Sequence, residues 1–147
     1  MTSLCKLCDD GKLDGVILML ARGADVNKRD CNRHTPLMWA VIGGHNLIVN
    51  ILLDQPGVNI NGKTDCGFTA LHYAVLWNNP EGAKMLLLHP GMNSANSTNT
   101  DGETALSLAL RFLKKEVLLE LVKHKSVILN TPAWVIDERE ALAKKKR

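Results

Sequence analysis

Three stretches of the chain share one order of polar and apolar positions: HTPLMWAVIGGHNLIVNILL, FTALHYAVLWNNPEGAKMLL and ETALSLALRFLKKEVLLELV. In each stretch a threonine precedes a short apolar segment, a break, and a second apolar segment. The threonines are Thr35, Thr69 and Thr104, spaced 34 and then 35 residues apart. Leu4 opens an earlier copy, LCKLCDDGKLDGVILMLARGADVN, which lacks the threonine. A period of this length predicts a stack of one repeated supersecondary unit.

Each unit is predicted to form two short helices. The threonine hydroxyl can cap the first helix, and Pro36 occupies the position where a helix best tolerates proline. Gly44 and Asn78 can end first helices in a left-handed conformation. Second helices are predicted over 47–53, 81–88 and 116–122, and turns close the units at 23–25, 56–57 and 90–91. Leu113 stands where a glycine is expected, which favours an irregular turn or partly fused helices.

The motifs T-P-L-M-x-A, T-A-L-H-x-A, G-A-D-V-N and G-H-x-x-I-V-x-x-L-L, together with the spacing, resemble the ankyrin repeat over about residues 4–125. The resemblance implies an all-α solenoid of stacked helix-turn-helix units with short β-hairpin or loop fingers. The sequence departs from the family at Arg33, where glycine is usual. The histidine usual in the first helix is present only as His72, and Met38 and Ser107 stand at the equivalent positions of the other units. The first and last units are expected to act as caps, because an open stack needs them.

The predicted division of the chain is a repeat domain over 1–130, with units of about 1–29, 30–63, 64–98 and 99–130, and a C-terminal capping helix with a basic end over 131–147. Trp134, Val135 and Leu142 are expected to cover the end of the stack.

Composition and charge narrow the function classes. The chain has 147 residues, 46% hydrophobic and 22% charged, with a net charge of +3. This balance suits a soluble folded protein and falls short of the clustered basic surface of a nucleic-acid binder. The sequence shows no signal peptide and no membrane span. We expect a cytoplasmic protein; the terminal KKKR favours either a nuclear signal or, more simply, a soluble helix end.

No pattern of catalytic residues is present, so we expect neither an enzyme nor a cofactor. Cys5 and Cys8 form a C-x-x-C that could join Cys31 and Cys66 around zinc, but the second pair lacks the spacing of a zinc knuckle. Cys8 also fits the buried side of an amphipathic helix. The resemblance implies structural hydrogen bonds for His45 and His72.

The resemblance implies binding of another protein or peptide through the concave face, meaning the finger tips and the exposed side of the first helices. Large aromatic side chains on that face are typical of interface hot spots. For Trp39 and Tyr73, packing inside the stack is the favoured interpretation. For Phe68 and Trp77, exposure on the concave face is the favoured interpretation. The candidate binding residues are Asn32, His34, Trp39, Ile42, Asp65, Cys66, Phe68, Tyr73, Leu76, Trp77, Asp101, Glu103, Arg111 and Phe112.

Charge adds a direction to this prediction. Lys28, Arg29 and Arg33 lie in the first finger, whereas Asp101 and Glu103 lie in the last. We therefore expect a partner segment that is acidic near the first finger and basic near the last. The protein is expected to be a monomer that acts as an adaptor or inhibitor and takes no small-molecule substrate. Two alternatives stay open: nucleic-acid binding through the basic tail and first finger, and a self-associating structural module.

Overall fold

The computed structural model describes residues 3–124, so the expected capping helix lies outside the described residues. This part of the chain contains helices and no strand. The helices are α1 Leu4–Asp10, α2 Leu13–Ala21, α3 Pro36–Ile42, α4 Asn46–Leu53, α5 Ala70–Leu76, α6 Pro80–Leu88, α7 Ala105–Arg111 and α8 Lys115–Lys123. They form four successive pairs, and the predicted second helices are confirmed except that each begins one residue earlier and the last also ends one residue later.

The first helix of each later pair begins at the predicted threonine. Thr35, Thr69 and Thr104 each accept a hydrogen bond from the backbone amide three residues on, at 3.2, 3.3 and 3.0 Å. The side chain at that third position accepts a bond from the threonine amide in return, which completes a reciprocal cap. In the first pair, Ser3 takes the same role and accepts from Lys6 at 3.1 Å.

The turn between paired helices has one geometry throughout. Its left-handed residues are Gly11, Gly44, Asn78 and Leu113, with φ of 71°, 71°, 51° and 53°. The expectation of an irregular turn or fused helices at Leu113 is wrong. Leucine accepts the left-handed conformation there, and α7 and α8 stay separate because the packing of both helices holds the turn between them.

The fingers between pairs are loops. Each is closed by one hydrogen bond between residues four apart, from the amides of Asp30, Thr64 and Asn99, at 2.9–3.0 Å. Arg33 stands at the glycine position of its finger and adopts φ of 67°, as Gly67 and Gly102 adopt 80° and 76° in the others. Of the two finger forms expected, the β-hairpin and the loop, the described fingers take the loop form.

Small residues let the helix pairs approach closely. Ala40, Ala74 and Ala109 stand at equivalent positions of α3, α5 and α7 and are fully buried. One continuous apolar core runs through all four pairs, including the fully buried Leu52 and Leu86 of the second helices. Each pair therefore buries its apolar surface against its neighbours as well as between its own two helices.

Two asparagines connect the loops of successive units. Asn27 donates to the carbonyl of Gly57 at 2.8 Å and accepts from the amide of Asn59 at 2.8 Å. Asn61 repeats both bonds one unit later, donating to the carbonyl of Gly91 at 2.8 Å and accepting from the amide two residues beyond it at 3.1 Å. These side chains satisfy backbone groups that helices and strands leave unpaired, and they fix the spacing of the loops.

Candidate functional site

Aromatic side chains pack together where the first two fingers meet the first helices. The rings of His34 and Trp39 stack at 4.9 Å between centroids, and Tyr73 stacks on Phe68 at 5.5 Å. The hydroxyl of Tyr73 lies 2.9 Å from Nε2 of His34, which links the two pairs of rings. Trp39 and Tyr73 are partly buried and pack against the core, which agrees in part with the packing expected of them.

Phe68 does not have the exposure expected of it. Its ring lies between Tyr73 and the edge of His72, 5.7 Å away, and the side chain is half-buried against the core. The reason is that the finger folds back onto α5, which sequence spacing alone does not reveal. Phe68 therefore contributes mainly to holding the finger on the helix.

Asp30 anchors the first finger. Its carboxylate accepts hydrogen bonds from Nε1 of Trp39 at 2.8 Å and from the backbone amides of Asn32 and His34 at 3.0 and 2.9 Å. Burial opposes ionisation, but these bonds outweigh it and hold the pKa of Asp30 below its ordinary value. The sequence prediction missed this residue, although an aspartate two residues before a turn is a recognisable signal.

His72 is a structural histidine. It is 1% exposed, accepts from the amide of Thr69 at 3.0 Å through Nδ1, and lies 3.0 Å from the carbonyl of Glu103 through Nε2. Burial lowers the pKa of His72, so the ring is neutral. Its two hydrogen bonds join the third repeat unit to the fourth. His45 makes a comparable link, with Nε2 at 3.0 Å from the carbonyl of Asp9. Both expected structural roles are confirmed.

Trp77 and Phe112 project from the ends of α5 and α7. They stand at equivalent positions, directly after the last residue of each helix, and are 60% and 46% exposed. The equivalent position after α3 is Gly43, which has no side chain to present. Ile42 and Leu76, one residue earlier, are half-buried. Exposed aromatic surface is therefore concentrated on the third and fourth pairs.

Most charges expected to face a partner are engaged within the chain. Arg111 pairs with Glu103, and its guanidinium lies 5.0 Å from the centre of the Phe112 ring. Hydrogen bonds from Asn99 and Arg111 hold the pKa of the Glu103 carboxyl below its ordinary value. In the first fingers, Arg33 lies 3.4 Å from a carboxylate oxygen of Asp65.

Arg29 is also occupied, since it donates to the carbonyl of Lys63 at 2.6 Å. The simple charge direction predicted for a partner is therefore weakened, because these groups neutralise or satisfy one another. The exposed finger tips that remain accessible include Asn32, Cys66 and Asp101.

The four cysteines fall into two environments. Cys5 and Cys8 are buried in α1, and burial raises their pKa values to about 11 and about 12. The thiol of Cys5 donates to the carbonyl of Lys28 at 3.3 Å. Cys31 and Cys66 are exposed on successive fingers. Within residues 3–124, no group of three or more histidine, cysteine, aspartate or glutamate side chains is placed to hold a metal ion.

Among the helices of residues 3–124, none has the length and the apolar composition that crossing a bilayer requires.

Four stacked helix pairs with projecting fingers define a helical repeat solenoid. A family model of three ankyrin repeats matches residues 4–96. The chain belongs to the ankyrin repeat family, whose repeats mediate protein–protein interaction and are not enzymes. The fourth pair, α7 and α8, lies beyond the matched residues but repeats the same caps and turn.

Relatives share this region with much longer proteins. The SMC5-SMC6 complex localization factor protein 1 of Bos taurus is 31% identical over 131 residues, which is 88% of this chain and 12% of that protein. Rabankyrin-5 of Homo sapiens is 26% identical over 80% of this chain and 10% of its own length. The human transient receptor potential cation channel subfamily A member 1 is 33% identical over 54% of this chain and 7% of its own. The chain thus spans about a tenth of the length of these relatives.

Proposed function

We propose that this chain binds a partner protein or peptide segment through its concave face and acts as an adaptor or inhibitor. The observation that carries the proposal is the exposure of Trp77 and Phe112 at equivalent positions of neighbouring repeats. Folding gains little from two aromatic rings left in water, whereas tryptophan and other large side chains dominate protein interfaces.

The support beneath these rings is rigid. Arg111, paired with Glu103, lies over the ring of Phe112 and restricts its motion. Trp77 follows α5 directly, and its amide donates to the carbonyl of Tyr73 at 2.9 Å. Because the face is already ordered, little conformational entropy is lost on binding, which favours affinity.

The names of the relatives agree with an adaptor role. One relative is named as a localization factor of the SMC5-SMC6 complex, which suits an adaptor role. The chain covers 12% of that protein, so its partner is not transferred to this one. The proposal for this chain is limited to binding a protein by the concave face.

Comparative affinity capture tests the proposal. Wild type, a Trp77→Ala/Phe112→Ala variant and a Leu47→Ala/Leu88→Ala variant are immobilised, and proteins retained from cell extract are quantified. Leu47 and Leu88 are both 71% exposed and lie on second helices, so they control for general loss of apolar surface.

We expect the aromatic variant alone to lose specific partners, with an affinity loss of about 2 kcal/mol per hot-spot residue. The melting temperatures of all three proteins should agree within a few degrees, since none of the residues is buried. An unchanged set of captured proteins in the aromatic variant would exclude the concave face as the binding surface.

A further inference from the structure

The turn between α7 and α8 exposes a leucine in a conformation that leucine rarely adopts. Leu113 has φ of 53° and is 77% exposed, more than any other large hydrophobic residue within residues 3–124. Glycine or asparagine occupies the equivalent position in the other three pairs, at 11, 44 and 78. Left-handed backbone is unfavourable for a residue with a branched side chain, and exposed apolar surface adds nothing to folding. Stability therefore does not explain this leucine.

Leu113 stands at the rim of an open pocket of about 290 Å³. The pocket is lined by Asn78, Phe112, Leu113, Lys114, Lys115 and Glu116. It thus joins the turn of the third pair to the turn of the fourth. Phe112 supplies a second apolar part of the lining, and the guanidinium of Arg111 lies over its ring. A residue in an unfavourable backbone conformation, whose apolar side chain borders an open pocket of mixed polar and apolar lining, points to recognition rather than to folding.

The charges in this lining favour an acidic occupant. The ammonium groups of Lys114 and Lys115 form no hydrogen bond or ion pair among the described residues, and Glu116 is the only carboxylate in the lining. Lys114 also precedes α8 without a side-chain cap, whereas Asn79 caps α6 by accepting from Gly82 at 2.9 Å. The open amides at the start of α8 add partial positive charge to the same side of the pocket.

We propose that this pocket binds a partner's peptide segment that places a large apolar side chain against Phe112 and Leu113 and an acidic side chain beside Lys114 and Lys115. This inference rests on the proposed function and deepens it, since it assigns part of the recognition to the turn between helices rather than to the fingers. The segment needs both features together, because the lining places the apolar side chains of Phe112 and Leu113 beside two lysines that form no ion pair among the described residues.

A peptide selection with wild type as bait tests the pocket. The probe is a phage-displayed library of random linear peptides, and enriched sequences are synthesised and titrated by fluorescence anisotropy. We expect the enriched peptides to share an aromatic or aliphatic residue next to aspartate or glutamate.

Leu113→Asn is the decisive variant, because Asn78 already adopts the same conformation one repeat earlier. Its melting temperature should be unchanged or higher by up to about 5 °C, since strain is relieved and no buried group is lost. Its affinity for the selected peptides should fall about tenfold or more, as expected for an anchor residue. Leu88→Asn, at an equally isolated exposed leucine on α6, should bind as wild type does.

Charge is tested separately. Lys114→Gln/Lys115→Gln should weaken binding severalfold and reduce its salt dependence, whereas Lys84→Gln, at an exposed lysine of α6, should not. Replacing the acidic residue of the peptide by its amide should produce the same loss with wild type and no further loss with the double variant.

Several outcomes would overturn the inference. Peptides that lose affinity with Trp77→Ala but not with Leu113→Asn would place recognition elsewhere on the concave face and leave the proposed function standing. A selection that enriches no peptide would count against both. Binding of a single-stranded oligonucleotide that depends on Lys114 and Lys115 but not on Leu113 would assign the lysines to nucleic acid. A dimer abolished by Leu113→Asn would assign the pocket to a second copy of the chain.

Discussion

His72 shows how one side chain couples two repeats. Its ring is closed off from water, and both nitrogens are engaged by groups that suit the neutral form, namely the Thr69 cap and the carbonyl of Glu103. The same bonds explain why a histidine is useful at this position as a structural residue. A proton added to the ring would place a charge in the core and remove the acceptor of the Thr69 amide.

Stability should therefore fall in mild acid through His72. Burial lowers the pKa of His72 below its ordinary 6.5 in the folded protein, so the unfolded chain takes up the proton first. The neutral ring contributes fully to the free energy of unfolding above pH 6.5. This contribution is lost as the pH falls from 6.5 toward the lowered pKa of the folded protein. Urea unfolding midpoints measured between about pH 7.5 and pH 5 should decline in wild type.

His72→Gln provides the comparison, since glutamine does not titrate. The variant should be less stable at neutral pH but lose less of its remaining stability over the same pH interval. Parallel declines in the two proteins would show that another group is responsible for acid sensitivity.

At the scale of elements, the turn between paired helices is the part most sensitive to residue type. Gly44 has φ of 71°, and a Cβ added there would meet no atom within 4 Å. Any cost of a substitution at Gly44 is therefore backbone strain and not a clash, which makes it a clean measure of the turn.

Gly44→Val should destabilise the protein by about 1–2 kcal/mol, because a β-branched residue disfavours left-handed backbone. Chemical unfolding monitored by circular dichroism measures the change. Asn78→Gly is the matched control, because it places glycine at the equivalent left-handed position of the next turn. It should change the free energy of unfolding by only a few tenths of a kcal/mol. Equal stability of wild type and Gly44→Val would mean that the turn rearranges at no cost.

The elements differ in how far the sequence predicts them. Thr69 and Asn78 mark the start and end of a helix because capping depends on residue type within a few positions. Phe68 and Leu113 were misjudged because their environments depend on how a finger or turn packs against neighbouring helices. The pairing of Arg111 with Glu103 could not be predicted either, since the two residues meet only after the finger folds over α7. Local chemistry and the exposure of Trp77 could be predicted from the sequence, whereas contacts that form only on folding, such as the pairing of Arg111 with Glu103, could not.

The whole molecule depends on bonds between loops as well as on the core. A solenoid has few contacts between distant repeats, so each junction must be stable by itself. Asn61 supplies the loop junction between the second and third units by donating to the carbonyl of Gly91 and accepting from the hydroxyl of Ser94 at 2.6 Å. The third and fourth units, which carry Trp77 and Phe112, keep their position relative to the first two units only if this junction holds.

Asn61→Ala should therefore weaken the junction selectively. The variant leaves backbone and hydroxyl groups unpaired, at a cost of about 1–3 kcal/mol. Because stability in a stack propagates through nearest neighbours, amides of α3 to α6, which flank this junction, should exchange with solvent faster, whereas those of α7 and α8 should change little. Hydrogen exchange followed by mass spectrometry resolves the two regions. Asn59→Ala is the control, because the exposed Asn59 side chain makes only a local bond, to the amide of Asn61 at 3.0 Å. Uniformly faster exchange in all helices of Asn61→Ala would instead show that the stack unfolds as one cooperative unit.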